Sequence, residues 1–355
     1  MVKNLRRAAI STSLNVLSGM ARLAPASLRG LGAILMFHHV RPWTGNGFAP
    51  NRGLEITPEF LETTIRAVRN AGFEIVSMDA AIAIIAAAAG GEAPPERPFA
   101  VLTFDDGYRD NTQYALPVLR RMEAPFTLYA APGFAQGEAR LWWVELEESI
   151  RRLDHIEVRA EAFSLSSETR TDAQKESAFK AIYWRLRALP EEKLLAIVGG
   201  LALRAGLDSA AVTTGLCMNW DEIAAFAAEP LCTLGAHTMT HPRLATLPLE
   251  AARGEIEASR REIEERTGKP VRHFAYPVGD PASAGLREFG LAREAGFASG
   301  VTTRKGMVFA GHAQHLMALP RLSINGEYQS ENALGALLSG APFFLKSLGR
   351  KLDVA

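Results

Sequence analysis

Short apolar runs recur along this chain, spaced so that a helix fits between neighbours, and several end in residues able to do chemistry. Residues 33–37 are followed by His38, 99–104 by Asp105 and Asp106, 231–236 by His237, and 273–276 by Pro277. Further runs fall at 73–78, 126–131 and 297–302. Runs this short and continuous suit buried strands, and strands alternating with helices imply parallel βα units.

The helices announce themselves by their ends. Thr57 is placed as an N-cap with Pro58 at the first helical position, Phe60, Leu61, Ile65 and Val68 on one face, and Gly72 as the stop. An alanine-rich helix is predicted over 79–89, and another closes near Met122. Residues 250–267 carry Ile256 and Ile263 in a strongly charged background and stop at Gly268 and Pro270, the pattern of a solvent-facing amphipathic helix. The stretch 136–217 breaks the rhythm. It holds two helical patterns, one with Phe179, Ile182, Tyr183 and Leu186 and one around 194–203, and reads as a helical insertion between two strands.

Composition narrows the function. The 355 residues balance 39 basic against 39 acidic side chains, so the basic excess of a general nucleic-acid binder is missing. Cys217 and Cys232 are too few for a disulfide scaffold or a four-cysteine zinc site. No uncharged apolar run is long enough for a membrane-spanning helix.

Two clusters stand out. Thr103-Phe104-Asp105-Asp106-Gly107-Tyr108 ends an apolar strand with paired carboxylates, whose desolvation is costly unless something such as a cation compensates. The plain alternative is a helix N-cap pair. His237-Thr238-Met239-Thr240-His241-Pro242 sets two histidines four apart, able to reach one point if the segment makes a helical turn. Neutral imidazoles suit zinc and related divalent ions, and two of them with Asp106 make a three-ligand site with open positions, the arrangement of a catalytic metal. Parallel βα barrels carry their chemistry at the C-terminal ends of the strands, where His38, Asp105, Asp106, His237 and Tyr276 all fall.

These motifs resemble those of polysaccharide deacetylases of the NodB-like kind, carbohydrate esterase family 4. Thr-Phe-Asp-Asp-Gly stands unchanged at 103–107, His-Thr-x-x-His-Pro at 237–242, Tyr276-Pro277-Val278-Gly279 matches an aromatic followed by Pro-x-Gly, and Phe37-His38-His39-Val40 is similar to the start of many members. The resemblance implies an α/β fold, a distorted (β/α) barrel with the helical insertion lying between the two metal-ligand motifs. The expected organisation is an N-terminal helical extension over 1–30, a deacetylase barrel over 31–330 and a C-terminal helical tail over 331–355. It further implies hydrolysis of N-acetyl groups on amino sugars, with Asp105 as general base and Asp106, His237 and His241 binding a divalent metal, zinc by preference. An oxyanion-holding N–H falls to Val278.

Two departures matter. Many members carry an Arg in the third motif that orients the catalytic carboxylate; Ala275 stands there, and Arg321 on the last barrel strand is the candidate to supply the charge, against a plain surface arginine. A Leu-x-His general-acid motif is missing, and His38 is favoured as its replacement over His273, His312 and His315. Trp143, with Trp142, and Tyr108 are candidate sugar-stacking residues, with core packing as the alternative for the tryptophans, and Tyr276 is assigned to the substrate site. A non-catalytic glycan-binding protein and an amidase on a non-sugar substrate are the rival functions; a mere binder has no need of Asp105.

The N-terminal 54 residues hold seven basic side chains and no acidic one, and Lys346, Arg350 and Lys351 sit near the other end. Ala24-Pro25-Ala26 invites a signal-cleavage reading, but Ser11, Thr12, Ser13, Asn15 and Ser18 spoil the hydrophobic region, so a retained helix and a cytoplasmic location are expected. Two readings of that helix stand: cover for the barrel, or peripheral contact with an anionic membrane.

Overall fold

Each of the seven apolar runs contains a strand of a single parallel sheet. The computed structural model describes residues 25–45, 47–161, 163–346 and 352–354. Its strands are β1 (Gly32–Phe37), β2 (His39–Val40), β3 (Glu55–Ile56), β4 (Glu74–Ile75), β5 (Phe99–Phe104), β6 (Phe126–Ala130), β7 (His155–Arg159), β8 (Ser164–Glu168), β9 (Cys232–Ala236), β10 (His273–Ala275), β11 (Ser299–Val301) and β12 (Leu322–Ser323). The main sheet runs β11-β10-β9-β6-β5-β1-β12, with β4 beside the start of β5. Val301 of β11 also bridges Leu319, just before β12, so residues 319–323 join the two ends of the sheet. The sheet therefore curls round as a distorted (β/α) barrel.

β1, β5 and β6 are buried along their whole length, which is why they read as continuous apolar runs rather than as alternation. One face of the sheet, with Leu35, Phe37, Leu102, Phe104, Leu128 and Phe274, packs against the surrounding helices. The other face, with Ile34, Val101, Tyr129 and Val301, packs with the helix Met78–Ala89. The helix Pro58–Asn70 is capped by the Thr57 side chain and buries Phe60, Leu61, Ile65 and Val68, each such burial contributing about 1.5–3 kcal/mol. The helix Glu331–Leu338 lies against it, with Leu334 and Leu338 buried.

Register brings the strand ends to one level. Phe37 pairs with Phe104, so His38 and Asp105 follow together, and the Asp105 N–H donates to Phe37 O at 3.0 Å. Ala130 pairs with Ala236, and the His237 N–H donates to Ala130 O at 2.9 Å. Phe274 pairs with Ala236, which sets the third motif beside the second.

Three expectations need correction. The run 73–78 yields only the two-residue β4, because Ser77 caps a helix that already starts at Met78. The insertion is not purely helical: besides helices Trp142–Arg152, Asp172–Leu186, Glu191–Arg204 and Ser209–Leu216 it contains an antiparallel hairpin of β7 and β8. In β7, Ile156 and Val158 point inward while His155 and Arg159 stay exposed, so one face of the hairpin joins the insertion's own core. The third correction, at the histidine pair, belongs to the site below. The basic residues Lys3, Arg6, Arg7 and Arg22, the proposed membrane-facing helix, and Arg350 and Lys351 lie outside the described residues. Among the described residues no single helix is long and apolar enough to cross a membrane.

Candidate metal and catalytic site

Asp105 and Asp106 leave the end of β5 with very different surroundings. Arg321 reaches Asp105 with a two-point grip, Nη1 to Oδ1 and Nη2 to Oδ2, both at 2.7 Å. The remaining Arg321 donors go to Thr302 O from Nε at 2.9 Å and to Thr103 Oγ1 from Nη1 at 3.2 Å. Both side chains are buried, and Arg321 stands on the segment that closes the sheet. Burial works most strongly against the Asp105 carboxylate, but the charge and hydrogen bonds of Arg321 together with the nearby His237 and His38 hold the carboxyl below its usual range. Arg321 is thus no surface arginine.

Asp106 turns the other way. Its backbone is left-handed, at φ 71°, and its Oδ1 lies 3.4 Å from both His237 Nε2 and His241 Nε2. One ligand atom from each of the three residues falls within 4.8 Å of the others. His237 Nδ1 sits 2.7 Å from Ala275 O, a contact only an N–H can make, so in the neutral ring the lone pair is on Nε2. Burial raises the Asp106 carboxyl, yet its closeness to the imidazoles of His237 and His241 brings it well below the carboxylate range. Burial pushes His241 down to about 4, keeping it in the neutral, lone-pair-bearing form.

The His237–His241 segment is not the helical turn that the four-residue spacing suggests. Thr238 and His241 take left-handed backbone at φ 61° and 63°, with the Thr238 hydroxyl accepting from the His241 N–H at 3.0 Å. Glu255 of the helix Leu249–Thr267 accepts from the Thr240 N–H and hydroxyl at 2.8 and 2.7 Å and pins the loop. The loop reaches the same convergence by a route the helical period does not describe. Among the described residues, four of the five non-glycine residues with positive φ, namely Asp106, Thr238, His241 and Val278, lie here, and such strain collects where surrounding structure enforces it at functional sites.

A cavity of about 210 Å³ opens over these groups, lined among others by His38, Asp105, Asp106, Trp143, His237, His241, Tyr276 and Val278. Burial lowers the His38 pKa although Asp106 and Asp105 pull it up. Val278 holds φ 62°; its carbonyl accepts from the Thr303 hydroxyl at 2.7 Å, while its own N–H meets no acceptor among the described residues. Gly279 has no freedom to change, because a Cβ there would come within 2.8 Å of the Thr303 N. The Trp143 ring lies 5.0 Å from the His241 ring, and Phe134 flanks the same imidazole at 5.6 Å. The Tyr276 ring is wedged between Phe274 and Phe289 at 4.9 and 5.2 Å.

Tyr108 is placed differently from the expectation of a sugar-stacking residue. It is fully buried, and its ring stacks on His39 at 3.5 Å rather than lining the cavity over Asp105 and Asp106. Its backbone bridges Cys217, which draws the ring under the insertion. Asn51, Leu54, Tyr183 and Thr303 also line the cavity. Tyr183 reads in the sequence as part of a helical core face, and Asn51 sits in a loop with no pattern to mark it.

A barrel whose strand ends hold an ionised, arginine-gripped carboxylate beside a two-histidine, one-aspartate cluster is built as a hydrolase. The family profile for polysaccharide deacetylases matches residues 92–297, more than half of the chain, and the chain belongs to that family. It is an amide-hydrolysing enzyme whose family chemistry is de-N-acetylation. The fold is shared with the Streptococcus pyogenes deacetylase PplD, solved in complex with acetate, at 16% identity over 86% of this chain and 97% of that one, with a TM-score of 0.56. IcaB from Ammonifex degensii matches at 17% identity over 86% and 96%, TM-score 0.53. A de-N-acetylase from Aggregatibacter actinomycetemcomitans matches at 13% identity over 86% and 98%, TM-score 0.52. No curated protein sequence matches the chain.

Proposed function

We propose that this enzyme removes N-acetyl groups from amino-sugar residues of a glycan, an oligosaccharide or a lipid-linked sugar, with a divalent ion, zinc, held by Asp106, His237 and His241. The observation that carries the proposal is the division of labour at one strand end: Asp105 is committed to Arg321, while Asp106 faces the two imidazoles. The residues fit an ion. Asp106 Oδ1 is buried without a hydrogen-bond partner between His237 Nε2 and His241 Nε2, each 3.4 Å away, and two imidazoles with one carboxylate are a donor set suited to zinc with a position left open. A divalent ion there lowers the pKa of water toward neutrality and polarises a carbonyl oxygen.

The chain's own residues do the rest. Asp105, kept ionised and aimed by Arg321, takes the proton of the attacking water, a contribution of roughly 10²–10⁴-fold for a positioned base. The Val278 N–H donates to the oxygen of the attacked carbonyl as it gains charge, and a main-chain donor explains why valine is tolerated there. His38, on the cavity wall, delivers a proton to the leaving amine. Trp143 and Tyr276 shape the wall that receives the acetamido sugar. The test is acetate release from a panel of N-acetylated monosaccharides, oligosaccharides and glycans with and without a chelator. Release from at least one sugar that stops with chelator supports the reading, and release confined to non-sugar amides overturns it.

A further inference from the structure

A guanidinium as deeply buried as that of Arg321 has to be met on every side, because a desolvated charge is costly wherever it is left bare. Its donors go to four oxygens. Nε reaches Thr302 O, Nη1 reaches Thr103 Oγ1 and Asp105 Oδ1, and Nη2 reaches Asp105 Oδ2. Thr103 is itself fixed, since its hydroxyl donates to Leu35 O at 2.9 Å. A guanidinium is a flat fork, so these bonds lie in or near its plane. They set where the fork points and leave its two faces to be covered by something else.

Tyr129 of β6 covers one of them. The guanidinium carbon lies over the Tyr129 ring, 5.9 Å from the centroid. The quadrupole of an aromatic face attracts a cation, most strongly where water is excluded, and both side chains are fully buried. The ring is held in turn by the neighbouring strand. Tyr129 pairs with Gly235 of β9, and a Cβ at Gly235 would come within 2.5 Å of the ring and 2.9 Å of His273 O. Only glycine lets the ring lie where it does. The far end of Tyr129 adds nothing that the ring does not. Its hydroxyl is buried without a hydrogen-bond partner, although buried tyrosines usually find one. Burial also pushes the phenol up, so it brings no charge near Asp105. What the site draws from Tyr129 is therefore an aromatic face.

We propose that Tyr129 is a positioning residue for the hydrolysis: its ring, seated on Gly235, holds the Arg321 guanidinium in the plane from which the fork meets both oxygens of Asp105. It acts through Arg321 and touches no reacting atom. The proposal rests on the reading of Asp105 as general base. Support then runs in one line, from β9 to β6, from β6 to the segment that closes the sheet, and from that segment to the end of β5.

The test uses the full chain with Tyr129→Phe, which keeps the ring, and Tyr129→Leu, which removes it, each alone and combined with Arg321→Lys. Acetate release from an N-acetylglucosamine oligomer is measured beside zinc content, and the Arg321 Nε–H resonance is followed by NMR. Expected in Tyr129→Leu is a fall in kcat of about tenfold, the scale of a desolvated cation–π contact, with KM within about twofold and zinc content unchanged. Tyr129→Phe restores most of the rate. In Arg321→Lys, which has no flat fork to hold, Tyr129→Leu costs little more. Should Tyr129→Leu fail to fold, Tyr129→Met fills the space without an aromatic face and takes its place. An unchanged kcat overturns the proposal, as does a Tyr129→Phe variant as slow as Tyr129→Leu, or an equal loss in the Arg321→Lys background. The resonance separates this proposal from the reading beneath it. A shift in Tyr129→Leu but not in Tyr129→Phe, in a protein that turns over no N-acetyl sugar, leaves the ring holding Arg321 and removes the deacetylase reading; a resonance that moves in neither removes the positioning.

Discussion

Arg321 holds both carboxylate oxygens of Asp105 at 2.7 Å across 216 positions of sequence. The pair joins the segment that closes the barrel to the strand that carries the site, so the closing segment also helps to keep Asp105, the proposed general base, ionised.

Removing that partner has two separable consequences. Arg321→Ala leaves a buried carboxylate alone and should cost about 3–5 kcal/mol of stability, read from the denaturant midpoint. Arg321→Lys keeps a charge but not the fork, so the protein folds and the pKa of Asp105 rises toward its ordinary value. A carboxyl lowered in the folded state stabilises the fold above its unfolded pKa, and that contribution is lost as pH falls through the folded value. In Arg321→Lys the acid limb of kcat/KM therefore moves to higher pH; an unmoved limb would mean Arg321 does not set the ionisation of the base.

The two adjacent aspartates should part company under substitution. Asp106→Ala and His237→Ala lose metal and activity together, since three protein ligands leave no spare. Asp105→Asn keeps the ion and loses about 10²-fold or more in rate. Metal analysis beside acetate release distinguishes them, and full occupancy in Asp106→Ala would rule out the ligand set.

His38 is assigned the leaving-group proton, and that role has a signature. His38→Gln should slow hydrolysis of an N-acetyl sugar by about 10²-fold while slowing 4-nitrophenyl acetate far less, because nitrophenolate leaves without a proton. Equal losses on both substrates would place His38 in positioning instead.

Val278 is β-branched at φ 62°, a conformation costing roughly 1–3 kcal/mol. Glycine adopts it freely at an entropic cost of about 0.5–1 kcal/mol. Val278→Gly should therefore raise the melting temperature while acetate release persists, because the donor is the main chain. A loss of rate as deep as that of Asp105→Asn would show that the side chain matters more than the N–H.

Much of this was legible because it is local. Buried parallel strands read as apolar runs, Thr57 and Pro58 mark a helix start, and the residues leaving β5 and β9 are adjacent in sequence to the runs that bury them. What escaped is what the chain decides at a distance. Arg321 could be put forward as a charge donor, but its grip on Asp105 depends on residues 319–323 bridging β11 and β1. Tyr108 looks from its motif like a cleft residue, and only the pairing with Cys217 under the insertion buries it. The histidine spacing points to the right pair through the wrong local structure, since left-handed residues at Thr238 and His241 do what a helical turn would have done. Asn51 carries no periodic signal, yet it ties the loop before β3 to the helix Trp142–Arg152.

The decisive measurement is a zinc titration of chelator-stripped protein with acetate release followed on an N-acetylglucosamine oligomer. Activity should start near zero, rise in proportion to added ion and level off at one ion per chain, with Asp105→Asn taking up the same single ion at a rate about 10²-fold lower or more. Acetate released at the full rate by the stripped protein, or uptake of the ion undiminished in Asp106→Ala, would contradict the site as built here from Asp106, His237 and His241.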